Sequence, residues 1–219
     1  NLAATVDLCT TDGNTGQIFT HIADVSVETE VLAFRDAVAK WRPHVHVLFN
    51  NAGIGGGGSF VLDERAGWEK TFNVCFGGVY NNTRAFLPLL LAAPFGQVVN
   101  TSSVNGFWAT LGPNVSHTAY SAAKFAVKGF TEALITDMAV NAPHVLVSVV
   151  MPGHIGTSIV QNSMNFGARN LNDEERELMA GADQMFHDNA PMTAAEAATV
   201  ILTDVLAERW RILVGDDAY

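Results

Sequence analysis

The sequence predicts an α/β fold in which helices cover both faces of a doubly wound, mostly parallel sheet, giving three α/β/α layers. Apolar runs of strand length alternate along the chain with longer segments of helical spacing. This alternation is typical of βαβ units, whose crossovers place helices on both faces of a parallel sheet. A chain of 219 residues without repeats or an interdomain linker fits a single domain, 1–219.

The order of the elements follows from these patterns. Strands are predicted at 17–23, 45–49, 97–101, 146–150 and 211–214. Helices are predicted at 27–41, 63–92, 116–140 and 193–210. Pro88 should end or kink the second of these helices, because proline removes a hydrogen bond and clashes with the preceding turn. Residues 158–192 lack a predicted strand and form a candidate substrate lid, with some helix around 173–180.

Residues 1–9 resemble the end of a helix, and no predicted strand precedes them. In a doubly wound sheet the first strands lie at the centre. We therefore expect an N-terminal βαβ portion, about 30 residues or more, before Asn1.

Bulk composition excludes several functions. A formal net charge of −10 with scattered Lys and Arg argues against nucleic acid as a partner. The two cysteines cannot build a disulfide framework, which favours a cytoplasmic location. No apolar run reaches the roughly 18 residues of a membrane span, so no membrane partner is expected.

Three short strings carry complementary chemistry: Asn50 to Gly53, Thr101 to Ser103, and Tyr120 to Lys124. Tyr120 and Lys124 are four residues apart and share one face of a predicted helix. A free phenol ionises only near pH ~10, and a nearby ammonium ion favours its ionised form. Alternatively, this Tyr and Lys are a surface pair on an amphipathic helix, the better interpretation if they stood alone.

A glycine run at 53–58 matches the G-x-G-x-x-G pattern of dinucleotide-binding loops and follows a predicted strand. No second strand with an acidic end lies about 20 residues further on, as that fingerprint requires. We therefore interpret the run as a flexible loop at the rim of the active site.

Six strings in order resemble the short-chain dehydrogenase/reductase family over almost the whole chain, at 24–25, 50–53, 73–74, 99–106, 120–124 and 152–157. The resemblance implies a Rossmann-like fold, NAD or NADP as cofactor, and hydride transfer between nicotinamide and a secondary alcohol or ketone. It also implies a homodimer or homotetramer assembled through the helices at 63–92 and 116–140. Two features depart from the family: the glycine-rich turn after its first strand is missing, and His46 stands where Asp is usual.

The resemblance assigns the catalytic roles. Ser103 would polarise the substrate oxygen, with Ser102 as its rival, and Tyr120 would be the general acid or base. Lys124 would tune that phenol, and Asn73 would hold a water in a proton relay behind it, unless Asn73 merely faces solvent.

The resemblance also assigns cofactor contacts. Asp24 and Val25 would meet adenine, although Asp24 could equally cap the following helix. Backbone at Asn51, Ala52 and Gly53 would line the adenosine ribose, while Asn50 braces neighbouring strands. Tyr120 and Lys124 would bind the nicotinamide ribose, and Ile155 and Thr157 its carboxamide.

Substrate contacts are expected from an apolar pocket that includes Asn105, Phe107, Trp108 and His154, with Met164 and Phe166 from the lid, unless these residues only pack. No metal is expected, because His44 and His46 share a strand face without further ligands. The rival functions are a catalytically silent dinucleotide-binding regulator and an epimerase or dehydratase on a related fold.

Overall fold

A computed structural model describes residues 2–11, 16–56, 58–109, 116–166, 180–181 and 184–219. Its main sheet has four parallel strands in the order β1-β2-β3-β6. These strands are β1 (Val47–Asn50), β2 (Gly96–Thr101), β3 (Val145–Pro152) and β6 (Arg211–Val214). A separate two-stranded sheet pairs β4 (Ile155–Gly156) with β5 (Met192–Thr193).

Helices connect the strands. They are α1 (Leu2–Thr11), α2 (Glu28–Trp41), α3 (Arg65–Phe72), α4 (Gly78–Leu91), α5 (Thr118–Asn141), α6 (Ile159–Phe166) and α7 (Ala194–Leu206). A π-helical segment, Asn73–Gly77, joins α3 to α4 without a break. Short 3₁₀ turns occupy Val104–Gly106 and Asp216–Ala218. In the described part of the chain no helix is both long and apolar enough to cross a bilayer.

The two faces of the sheet bury different side chains because successive residues of a strand point to opposite sides. Val98 lies in a core with Leu134 and Met138 of α5, whereas Val99 lies in a second core with Ala197 and Val205 of α7. Helix α2 packs against α4 through a third cluster on the α5 side. The layers are therefore α2, α4 and α5 over one face and α7 over the other, as the sequence predicted.

Most predicted elements are confirmed within one or two residues, and the strand at 211–214 has the predicted bounds. The strand predicted at 17–23 is wrong: residues 17–24 have no regular structure and pair with no strand of the described residues. A strand requires a hydrogen-bonded neighbour, so apolar character alone does not form one. Residues 2–11 are helical, as the sequence indicated for residues 1–9.

The helix predicted at 63–92 is interrupted by the π-helical segment at Asn73. Helix α4 continues past Pro88 and ends at Leu91, less than one turn beyond the proline. The helix predicted around 173–180 lies outside the described residues except for residue 180.

Candidate active site

The site lies where parallel strands end at one edge of the sheet. Register pairs Asn50 of β1 with Asn100 of β2, and Thr101 with Val150 of β3. Because the strands are parallel, the loops that follow them leave the sheet at the same edge. Ligands of doubly wound folds bind in the crevice outside this edge.

Lys124 joins helix α5 to the end of β2. Its side chain is 4% exposed, and Nζ donates a 2.9 Å hydrogen bond to the carbonyl oxygen of Thr101. The same Nζ lies 5.4 Å from the ring centroid of Tyr120, one turn earlier on the helix. A buried ammonium ion needs such partners, and its three N–H groups leave further donors for a ligand.

Tyr120 is the third residue of α5 and is half-buried. Its ring packs against a small buried cluster made of Ile54, Cys75 and Ala123. Packing against side chains from three segments restricts the ring, so the phenol has a defined position beside Lys124.

Ser103 and Ser102 have different partners. Ser102 Oγ donates a 2.7 Å hydrogen bond to the carbonyl oxygen of Lys124 and is thereby committed to holding the helix. Ser103 begins the 3₁₀ turn, and its Oγ accepts a hydrogen bond from the Asn105 backbone N–H at 3.2 Å. These contacts support Ser103 rather than Ser102 as the hydroxyl available to a substrate.

Gly106 allows the close approach of this turn to α5. A Cβ at that position would lie 2.6 Å from Ser102 Oγ and 3.0 Å from the carbonyl oxygen of Lys124. Only glycine fits this spacing without displacement of the turn.

The loop after β1 passes beside Lys124. A Cβ on Gly53 would lie 3.8 Å from Lys124 Nζ and 3.8 Å from Cys75 Sγ. Asn51 and Ala52 are exposed, and the Asn51 side-chain oxygen accepts a 3.0 Å hydrogen bond from the Thr101 hydroxyl. The loop is thus tied to the end of β2.

The glycine run that follows is part of a loop leading to α3, and no strand occurs there among the described residues. Gly55 N–H donates a 2.6 Å hydrogen bond to Ser163 Oγ of α6. Residue 57 lies outside the described part. The run therefore contacts the start of the predicted lid, 158–192, whose residues 167–179 and 182–183 are likewise outside it.

Asn73 is the first residue of the π-helical segment, and its side chain is exposed. This segment packs against α5, the helix that carries Lys124. π-Helical turns are frequent at functional sites because they alter the direction of neighbouring side chains. The predicted water relay at Asn73 stays a prediction.

Asp24 is exposed and forms a local turn before α2. Its Oδ1 accepts hydrogen bonds from the Ser26 hydroxyl at 2.6 Å and the Ser26 N–H at 2.9 Å. The Ser26 hydroxyl bond is the main cause that lowers the pKa of Asp24, although burial opposes it. The N-cap of α2 is Val27, so Asp24 stabilises the turn ahead of the helix rather than capping it.

Val25 is held against α4. Its carbonyl oxygen accepts a 3.1 Å hydrogen bond from Asn81, and a Cβ on Gly78 would lie 2.6 Å from its side chain. Helix α4 therefore fixes the position of the Asp24–Val25 pair.

The loop after β3 is anchored by the last 3₁₀ turn. Asp217 Oδ2 accepts a 2.7 Å hydrogen bond from the His154 N–H. Ile155 is buried in β4, and Thr157 is half-buried with its N–H bonded to the Ile155 carbonyl oxygen at 2.8 Å. The two predicted carboxamide contacts thus lie on one anchored loop.

The predicted substrate residues differ in burial and in their contacts. Asn105 is 4% exposed and Phe107 lies below the cations of Lys128 and Arg211, at 5.6 and 5.7 Å. Substrate contact by these two residues stays a prediction.

Trp108 is 68% exposed. His154 Nε2 lies 2.6 Å from the Phe186 carbonyl oxygen, and the two rings are in contact. Met164 and Phe166 belong to α6, but their side chains lie outside the described part. Substrate contact by these residues stays a prediction.

Asn50 braces the strands as expected. Its Nδ2 donates to Thr83 Oγ1 of α4 at 3.0 Å and to Asn100 Oδ1 at 2.8 Å. Asn100 in turn donates to Thr131 of α5. This buried chain of polar groups ties two strands to two helices directly behind the site.

Several contributing residues were not predicted: Ser121, Ser163, Cys75 and Asp217. Cys75 Sγ donates to the Ile54 carbonyl oxygen at 3.1 Å. Each acts through a partner distant in sequence, so no local pattern marks it. Among the described residues no group of three or more His, Cys, Asp or Glu side chains is arranged to hold a metal ion.

A doubly wound sheet with Ser103, Tyr120 and Lys124 grouped beside its carboxyl edge defines the class of Rossmann-like α/β oxidoreductases. The short chain dehydrogenase family model matches residues 1–166. The SadH protein of Mycobacterium tuberculosis is 37% identical over 218 residues, covering 99% of this chain and 74% of that protein. The chain belongs to the short-chain dehydrogenase/reductase family.

Two further comparisons agree. A 3-ketodihydrosphingosine reductase of Bacteroides thetaiotaomicron is 33% identical over 149 residues, 68% of this chain and 53% of that protein. The crystal structure of a short-chain dehydrogenase/reductase from Burkholderia phymatum in complex with NAD aligns with a TM-score of 0.82 and 28% identity. That alignment covers 97% of this chain and 75% of the other.

Proposed function

We propose that this oxidoreductase is a short-chain alcohol dehydrogenase or carbonyl reductase that interconverts a secondary alcohol and a ketone, with NAD or NADP as cofactor. The observation that carries the proposal is the buried ammonium of Lys124. It is held on the Thr101 carbonyl oxygen at 2.9 Å while lying 5.4 Å from the Tyr120 ring centroid. A buried cation near this ring supports the proposal, because a nearby positive charge favours the phenolate that would form during proton transfer.

The proposed mechanism assigns one task to each side chain. Ser103 donates a hydrogen bond to the substrate oxygen and stabilises the charge that develops on it. In ketone reduction Tyr120 gives its phenolic proton to that oxygen; in alcohol oxidation the phenolate takes the proton back. Lys124 stabilises the phenolate by its positive charge, and Asn73 holds a water that returns protons from solvent.

The residues at the sheet edge fit a nicotinamide dinucleotide. Donors suited to ribose hydroxyls come from Lys124, whose ammonium has N–H groups beyond the one bound to Thr101. Asn51, Ala52 and Gly53 are small enough for close approach of an adenosine ribose. Tyr120 would share the nicotinamide ribose with Lys124. When bound, the nicotinamide would donate or accept the hydride.

Further residues are proposed to bind the two ends of the dinucleotide. Asp24, with Val25 beside it, offers an exposed carboxylate to the adenine amino group. Ile155 and Thr157 would grip the carboxamide from the loop that Asp217 anchors. The substrate is proposed to be apolar; one relative is named a 3-ketodihydrosphingosine reductase.

We also propose a homodimer or homotetramer. Helices α4 and α5 expose large apolar side chains, including Leu91 at 43% and Phe125 at 44%. Association through these helices would cover that surface.

The test is a cofactor-absorbance assay at 340 nm on a panel of secondary alcohols and ketones of increasing chain length, with NAD(H) and NADP(H) in parallel. Turnover with net cofactor oxidation or reduction supports the proposal. Cofactor binding without turnover across the panel would instead indicate a catalytically silent regulator. Turnover without net cofactor change would indicate an epimerase or dehydratase.

A further inference from the structure

We propose that Asn105 and Ser121 are positioning residues that hold the hydroxyl of Ser103 at a fixed place relative to Tyr120. This inference rests on the proposed function and adds to it two residues that need not touch substrate. Asn105 and Ser121 are each 4% exposed. Their polar groups therefore have to be satisfied inside the protein, and the partners that they find define their role.

Asn105 orients the Ser103 hydroxyl. The backbone N–H of Asn105 donates to Ser103 Oγ at 3.2 Å, so it occupies an acceptor site of that oxygen. Within the described part of the chain, the acceptors of the hydroxyl proton are the Asn105 side-chain oxygen and the Pro152 carbonyl oxygen, each at 3.5 Å. Hydrogen bonds of this length are weak, and the proton is accordingly free to turn toward a substrate oxygen.

Ser121 holds Asn105. The Asn105 side-chain N–H donates to Ser121 Oγ at 3.2 Å, and Ser121 Oγ donates to the Ala109 carbonyl oxygen at 3.0 Å. Ser121 directly follows Tyr120 on α5. The chain Ser103–Asn105–Ser121 thus links the hydroxyl that would polarise the substrate to the helix that carries the phenol.

A second link between the same two elements is the hydrogen bond from Ser102 to the Lys124 carbonyl oxygen. One link alone would let the turn pivot about its contact point, whereas two fix both its distance and its orientation. Reaction rates respond strongly to such geometry: misplacement by about 1 Å can cost about 10²-fold. Loss of the Asn105 side chain should therefore affect catalysis through Ser103.

The experiment is a double-mutant cycle on turnover. Asn105→Ala is expected to lower kcat about 10–100-fold and to leave the KM of the cofactor within about 3-fold. In the Ser103→Ala background the same change should alter kcat by less than about 3-fold, because the hydroxyl to be positioned is gone. Ser121→Ala should show the same pattern with a smaller loss, about 3–10-fold.

Equal losses from Asn105→Ala in the two backgrounds would overturn the inference, as would an unchanged kcat in the single variant. A KM effect on the cofactor without a kcat effect would also overturn it, because that indicates a general disturbance of the sheet edge. If circular dichroism shows that Asn105→Ala does not fold, the double-mutant cycle with Ser121→Ala tests the inference alone. If the wild-type protein folds and binds cofactor but shows no turnover, the proposed function and this inference are both refuted. If the wild-type protein and Asn105→Ala are equally active, only the inference is refuted.

Discussion

The ammonium group of Lys124 donates a 2.9 Å hydrogen bond to the carbonyl oxygen of Thr101, the last residue of β2. This contact fixes a helix to the end of a strand at the point where the strings 101–103 and 120–124 have to meet. Since the side chain is 4% exposed, its charge is screened less by solvent than that of a surface lysine.

Replacement of Tyr120 by Phe should abolish most turnover. General acid–base groups contribute about 10²–10⁴-fold, so we expect a fall in kcat of at least about 10²-fold with cofactor binding retained. The matched control is Tyr80→Phe, because Tyr80 is 49% exposed on α4 and its ring contact survives the change. Steady-state rates and cofactor fluorescence titration measure the two effects, and equal rates for both variants would contradict the role of Tyr120.

Replacement of Lys124 by Met should lower both turnover and cofactor affinity, since the buried cation is proposed to stabilise the phenolate and to bind the ribose. We expect a loss of kcat/KM of about 10²-fold or more. Lys128→Met is the control one turn further along α5, where Nζ pairs with Glu132 at 3.2 Å. Stopped-flow cofactor binding and kcat measured for both variants would decide; a comparable effect of Lys128→Met would argue against a specific role for Lys124.

Gly106→Ala should damage the site, whereas Gly129→Ala should not. The new Cβ at position 106 would lie 2.6 Å from Ser102 Oγ, and relief of that clash separates the turn from α5. We expect a loss of about 1–3 kcal/mol in the free energy of unfolding, together with reduced kcat. A Cβ on Gly129 meets no atom within 4 Å, and the change should add about 0.5–1 kcal/mol.

Urea denaturation and kcat measured on the two alanine variants check this prediction. Unchanged stability and rate in Gly106→Ala would show that the turn tolerates displacement. Destabilisation by Gly129→Ala would contradict the expectation that a Cβ at that position meets no neighbouring atom.

Ser26→Ala should reduce the contribution that ionised Asp24 makes to the free energy of unfolding. The pKa of Asp24 is lowered in the folded protein, chiefly by the Ser26 hydroxyl, so this bond contributes stability above the unfolded pKa near ~3.9. That contribution is lost as pH falls through the folded pKa. The expected difference from wild type is well under about 1 kcal/mol at pH 6, because the carboxylate is exposed, and it shrinks below about pH 4.

Carboxyl ¹³C NMR titration should show a higher pKa for Asp24 in Ser26→Ala, and urea denaturation at pH 6 and below pH 4 gives the stability difference. In an Asp24→Asn background the pH dependence of the Ser26→Ala effect should vanish. If the Ser26→Ala effect persists in that background, it arises from other contacts of the hydroxyl and not from its bond to Asp24.

The sequence by itself determined the element order and four strands of the main sheet, and it predicted that Ser103, Tyr120 and Lys124 form one site. Periodicity and an i, i+4 spacing are local properties, and local properties survive in any context that buries the apolar face. Tertiary structure decided what depends on distant partners. Residues 17–24 form no strand because no strand of the described residues pairs with them, and Ser102 bonds to the Lys124 carbonyl oxygen whereas Ser103 bonds within its own turn. Asn105 is buried because Ser121, sixteen residues further along the chain, supplies its hydrogen-bond partner.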